Sequence, residues 1–102
     1  MRVVKPSRVL EFQNAYPTAA SGLRRWMELV ETHNWSSIVE LRRVLPTADA
    51  VMVASGRTAT VFNISGNAFR LVTAIHYNRR IVYVLAFMTH AVYSKDKWKE
   101  TL

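Results

Sequence analysis

Residues 58–93 constrain this chain more than any other stretch. They form three apolar runs, rich in β-branched and aromatic side chains, interrupted only at Ser65-Gly66-Asn67 and Asn78-Arg79-Arg80. Gly66, Asn67 and Asn78 tolerate the positive φ that tight hairpin loops demand, so the stretch predicts an antiparallel meander. The same region is devoid of acid. No Asp or Glu occurs from Ala50 to Lys95, whereas Arg57, Arg70, Arg79, Arg80 and Lys95 all do. A sheet that carries only positive charge attracts phosphate and repels carboxylate ligands.

Whole-chain totals sharpen this. With 102 residues and an apolar fraction of 50%, the chain is expected to fold as one domain spanning 1–102, with a single core. Its 14 basic and 7 acidic residues give a net charge of +7, and every acid falls within 11–49 or 96–100. That asymmetry favours a polyanion partner over mere solubility. No apolar run approaches the roughly 20 residues that span a bilayer, and the first residues lack a signal-peptide pattern. The chain has no cysteine, which excludes disulfides and thiolate metal sites. A cytoplasmic protein without a membrane partner is the expectation.

Ahead of the meander, Arg2-Val3-Val4 reads as a short strand. Pro6 suits the first turn of a helix whose apolar stripe is Val9, Phe12 and Tyr16. A second helix is predicted from an N-cap at Thr18, burying Leu23, Trp26, Met27 and Val30. Ser37 and Glu40 have capping-box spacing for a third, with Ile38, Leu41 and Val44 inward and Arg42-Arg43 on a solvated face. A strand over 49–54 and a turn at Ser55-Gly56 lead into the hairpins. The segment after Tyr93 is polar and reads as a last helical turn or a frayed end. The order predicts an α+β domain: an antiparallel sheet of four to five strands with N-terminal helices packed on one face.

Alternation divides residues 68–77 into Arg70, Val72, Ala74 and His76 on one face and Phe69, Leu71, Thr73, Ile75 and Tyr77 on the other. Both faces are largely apolar, so this strand is expected to be central and covered on both sides. Arg70 then needs either a phosphate or a helix carboxylate such as Glu28 or Glu40. Val82, Val84, Ala86, Met88 and His90 share one parity on the last strand, which places His90 at its solvent-reaching end. Tyr93 and Lys95 follow closely, which favours an acid–base role for His90 over a structural one. His76 is more simply a core-edge histidine. Asn63 and Asn67 bracket the first tight loop, and turn geometry alone accounts for Asn67. Tyr77 and Tyr93 are the better placed aromatics for stacking on an unstacked base.

Asn63-Ile64-Ser65-Gly66-Asn67-Ala68-Phe69-Arg70-Leu71, then Ile75-His76-Tyr77-Asn78, then Thr89-His90-Ala91-Val92-Tyr93 resembles the HigB toxin family of type II toxin–antitoxin modules. The resemblance is close over residues 58–95 and loose before them. Ser65 stands where a Gly is common in that family, and Ser94 where an Asp often follows the Tyr. The resemblance implies a RelE-like fold, cleavage of mRNA on the ribosome, and neutralisation by an acidic or helix-turn-helix, HigA-like antitoxin.

The chain has no glycine-rich phosphate loop, no zinc-ligand spacing and no carboxylate cluster for magnesium. These absences argue against a metal-dependent nuclease, and with the resemblance the expectation is a metal-independent, cofactor-free endoribonuclease in which the ribose 2′-hydroxyl attacks the adjacent phosphorus. Arg70 is expected on the phosphate, with His90, Tyr93 and Lys95 as proton-transfer or positioning groups. Asn63, Asn67, His76, Arg57 and Arg79 are candidate RNA contacts. The rival is a non-catalytic basic module that grips RNA or DNA through its sheet.

Overall fold

A computed structural model describes residues 1–102. In chain order the elements are β1 (Arg2–Val4), α1 (Pro6–Ala15), a 3-10 turn (Pro17–Ala19), α2 (Ala20–Thr32), α3 (Ile38–Val44), β2 (Asp49–Met52), β3 (Thr58–Ile64), β4 (Phe69–His76), a 3-10 turn (Tyr77–Arg79), β5 (Ile81–Thr89) and α4 (His90–Ser94), followed by a 3-10 turn (Lys97–Glu100). The five strands form one sheet in the order β1-β5-β4-β3-β2. From β2 to β5 every pairing is antiparallel, as the hairpin signals require. The α+β architecture is as expected, but the sheet is mixed, because β1 runs parallel to β5. Turn chemistry dictates pairing between neighbours in sequence. The sense of β1 is set instead by how the intervening helical layer returns the chain, which no local pattern encodes.

The helices cover one face. Leu23, Trp26 and Val30 of α2 are buried against Phe62, whose ring meets that of Trp26 edge-on at 5.5 Å. Each such side chain stabilises the fold by about 1.5–3 kcal/mol. Tyr16, Phe69 and Phe87 make a second aromatic knot beside α1. The opposite face carries a smaller cluster of Val53, Ala59, Val61, Val72, Met88 and Trp98. The sheet is thus covered on both sides, as the two apolar faces of β4 predict.

A bulge breaks the expected alternation on β5. Val72 pairs with Ala86 and Thr73 with Val84, so Leu85 is the extra residue. Val82 and Val84 therefore face the helices, whereas Ala86 and Met88 turn to the other side. The single parity predicted for Val82 through His90 does not hold. Arg8, on α1, secures the bulge by donating to the carbonyls of Val84 (3.1 Å) and Leu85 (3.3 Å). A bulge loosens the ladder locally, and a guanidinium fork is suited to occupying two neighbouring carbonyls.

Three local details also differ from the sequence reading. Thr18 does not cap α2; Pro17 opens a 3-10 turn that runs directly into the helix, so no side-chain cap is used. At α3, Ser37 is the N-cap, but the Glu40 carboxylate reaches the backbone N–H and hydroxyl of Ser36 rather than Ser37. In the loop between β3 and β4, positive φ falls on Ser65 (55°) and Gly66 (68°), and in the next connection on Arg80 (56°). Asn67 and Asn78 do not adopt it. No helix is long and apolar enough to cross a membrane.

Candidate active site at the Arg70 end of the sheet

Arg70 is the second residue of β4 and is only 8% exposed. No carboxylate meets it, so neither Glu28 nor Glu40 is its partner. Its Nη1 donates to the carbonyls of Asn67 (3.1 Å) and Phe69 (3.0 Å). Its Nη2 donates to the Asn67 side-chain oxygen and to Nδ1 of His90 (2.9 Å). The charge is therefore held by neutral acceptors alone. Asn67, whose presence turn geometry seemed sufficient to explain, supplies two of these acceptors.

His90 is not the last strand residue but the first of α4. Thr89 caps that short helix by accepting from the N–H of Val92 (3.3 Å). The His90 N–H donates to Ala68 O at 2.9 Å, tying the helix start to the β3–β4 loop. Arginine has no acceptor, so Nδ1 must accept in its bond with Arg70. In the neutral ring the proton then sits on Nε2.

Tyr93 lies one turn further along α4, with the Arg70 guanidinium 5.6 Å from its ring centre. Trp98 stacks on the same ring at 5.0 Å and 20°. Burial is the main cause that pushes the Tyr93 phenol above its usual range; the charges of Asp49 and Asp96 add to this, against Lys99 and Arg70. Asp49 and Asp96 are the acids that bound the acid-free run in sequence, and the fold brings both back towards Tyr93. The stacking partner covers one face of the half-buried Tyr93 ring.

Asn63 is the cross-strand partner of Arg70 in the register of β3 and β4, and so shares its face. Lys95 caps the end of α4 through its backbone N–H, which donates to the carbonyls of Val92 and Tyr93, while its exposed ammonium makes no hydrogen bond or ion pair with Arg70, His90 or Tyr93. Arg57, His76 and Arg79 lie elsewhere. His76 is at the far end of β4, six residues from Arg70, which corresponds to about 20 Å along a strand. It meets Tyr83 edge-on at 5.3 Å and lines an open hollow with Arg57. Arg79 is exposed in the turn after β4. The candidate residues thus divide between the two ends of one strand, and one end gathers Asn63, Asn67, Arg70, His90 and Tyr93.

Sequence reasoning missed Trp98, which is 7% exposed and packed beside Tyr93. A tryptophan inside a lysine-rich tail was the available signal, since such a residue is rarely left in solvent. It missed Arg8 as well, because nothing local marks the bulge that Arg8 secures.

No curated protein matches the chain. The HigB toxin family model, described as the RelE-like toxic component of a toxin–antitoxin system, matches residues 19–96. The matched span runs from the start of α2 through Asp96 and contains the whole Arg70–His90–Tyr93 arrangement. Covering well over half of the sequence, on a helix-backed α+β sheet, this match shows that the chain belongs to the HigB toxin family.

Proposed function

We propose that this toxin is a ribosome-dependent, metal-independent mRNA endoribonuclease, neutralised by a helix-turn-helix, HigA-like antitoxin. The observation that carries this reading is the meeting of Arg70, His90 and Tyr93 at one end of a sheet with no acid in residues 50–95. An mRNA phosphate entering there competes with His90 for the Nη2 donor of Arg70. Once that donor turns to a phosphate oxygen, His90 Nδ1 is free to accept the proton of the 2′-hydroxyl. The 2′-oxygen then bonds to phosphorus in line, and the bond from phosphorus to the 5′-oxygen breaks. Tyr93 or Lys95 returns a proton to that leaving oxygen. The products are a 2′,3′-cyclic phosphate and a 5′-hydroxyl. Arg70 neutralises charge that builds on the phosphate in the transition state, the role in which a preorganised donor matters most.

Asn63 and Asn67 lie at the rim, and Arg57, His76 and Arg79 offer further contacts about 20 Å along the sheet, a few nucleotides away. A basic surface of this kind supports attraction to RNA and to an acidic partner surface alike. A cytoplasmic location fits a substrate held on the ribosome.

The test is expression of this chain with and without a cognate antitoxin, together with incubation of the purified protein with mRNA-programmed ribosomes. Growth arrest relieved by the antitoxin, and cuts in ribosome-bound mRNA, are expected. Normal growth with soluble protein present, or intact mRNA, overturns the proposal. The non-catalytic alternative draws on one observation: all four Nη bonds of Arg70 are already made within the protein. It predicts that His90→Ala leaves translation inhibition unchanged.

A further inference from the structure

We propose that Trp98 is a positioning residue for Tyr93, and that it acts by bracing the ring so that the phenol is held beside Arg70, which in turn holds His90. This rests on the endoribonuclease reading above. It concerns a residue just outside the family-matched span of 19–96.

The chain turns back at Asp96, whose φ of 61° is left-handed, so residues 97–100 lie against the sheet instead of continuing α4. The carbonyl of Lys99 accepts from the N–H of Ala54 at 3.0 Å, which anchors the returning segment near the β2–β3 turn. Trp98 then sits among Val53, Ala59, Val61, Val72 and Met88. A residue that only filled this space would need nothing more. Yet two of the three directed contacts of the indole go to Tyr93, the third being the Lys99 ammonium 5.8 Å from its ring centre. The indole stacks on the phenol ring at 5.0 Å, and its Nε1–H donates to the Tyr93 carbonyl at 3.1 Å. One residue thus holds both the ring and the backbone of Tyr93. With Trp98 stacked on it and Arg70 beside it, the ring is hindered from rotating, which holds the hydroxyl in one place. Precise placement of such a group governs rate more than binding.

The experiment measures single-turnover cleavage of ribosome-bound mRNA, binding to programmed ribosomes, and thermal midpoint. The variants are Trp98→Leu, Trp98→Phe, Tyr93→Ala and the Trp98→Leu/Tyr93→Ala double. Trp98→Leu is expected to slow cleavage by about tenfold or more with binding unchanged, as loss of alignment does. Trp98→Phe, which keeps a ring against Tyr93, should recover most of the rate. In the Tyr93→Ala background, Trp98→Leu should add nothing, because residues that act as a unit are not additive. An equal loss in both backgrounds, a binding loss in step with the rate, or an unchanged rate overturns the proposal. Trp98→Met carries the same comparison should Trp98→Leu not fold.

A second readout needs no substrate: titration of Tyr93 in protein with 13C-labelled tyrosines. Removing the indole should move its midpoint down towards the ordinary value, and an unmoved midpoint overturns the brace. Absence of cleavage by the wild type would overturn the endoribonuclease reading itself, and is distinguishable because the titration reports on Trp98 alone.

Discussion

Arg70 donates to Nδ1 of His90 at 2.9 Å, so the ring nitrogen best placed to take a proton is occupied until something displaces the arginine. A phosphate is the natural competitor, because a charged acceptor binds guanidinium more strongly than a neutral imidazole does. Under the proposed mechanism, base activity at His90 is thereby coupled to arrival of the substrate.

Arg70→Lys tests this coupling. Lysine keeps the charge but loses the fork that reaches Asn67, Phe69 and His90 together. Cleavage is expected to fall by at least about a hundredfold, on the scale of losing one oriented donor. The fold should lose about 1–3 kcal/mol, from hydrogen bonds to a charged group. Arg70→Gln should also make the salt dependence of RNA binding shallower by about one counterion. A salt slope equal to that of the wild type would show that Arg70 does not meet phosphate. Urea unfolding read beside the binding curves separates the two effects.

The second prediction concerns strain in the β3–β4 loop. Ser65 holds a φ of 55°, and its hydroxyl gains only a long bond to Thr18 O at 3.4 Å. A left-handed non-glycine residue costs about 1–2 kcal/mol, so Ser65→Gly should raise stability by about 1 kcal/mol. Gly22 lies under the same loop. A Cβ there would come within 2.9 Å of the Ile64 methyl and the Ser65 hydroxyl. Gly22→Ala should therefore destabilise, despite the better helix propensity of alanine. Thermal midpoints of the two variants moving in opposite directions is the expected result, and a shared direction would refute the loop geometry.

What the sequence made legible follows a physical divide. The hairpins were readable because turn residues and alternation act between neighbours, and the buried stripe Leu23, Trp26 and Val30 because helical spacing is local too. The bulge at Leu85 was not readable. No glycine or proline marks it, and the fork of Arg8, which secures it, comes from the far end of the chain. The parallel β1 and the return of Trp98 are likewise decided by distant contacts. At the site, the acid-free run and the resemblance single out Arg70, His90 and Tyr93. That Asn67 would supply acceptors for Arg70 was hidden behind its sufficient role as a turn residue.

A third prediction comes from the two tyrosines. Burial is the main cause that raises the phenols of both Tyr77 and Tyr93 above 10, and it favours their neutral forms in the folded state. A group whose folded value is raised contributes stability that is complete below its unfolded value and is lost as pH rises through the folded one. Stability should therefore hold up to a pH of about 10 and then decline, with the unfolded tyrosines ionising first. Replacing both by phenylalanine should flatten the decline. An equally steep alkaline limb in the double variant would place the cause in other groups.

The last prediction is chemical. No three side chains of the His, Asp or Glu type come together in this fold, so an oxygen-rich cage for magnesium has no ready source. Asp49 and Asp96 influence Tyr93, but Asp49 pairs with Arg42 at 3.5 Å and Asp96 with Lys99 at 3.2 Å. A water nucleophile would need activation that these residues do not supply, whereas the 2′-hydroxyl lies beside its phosphorus and needs only alignment and a proton acceptor. Cleavage should thus survive excess EDTA under conditions that keep the ribosome assembled, and on any free RNA that is cut. The upstream fragment should end in a cyclic or 3′-phosphate. A message with 2′-deoxyribose at the scissile position should resist while still binding. Cutting of that deoxy message, or a 5′-phosphate on the downstream fragment, would require a different nucleophile and would remove the role assigned to His90.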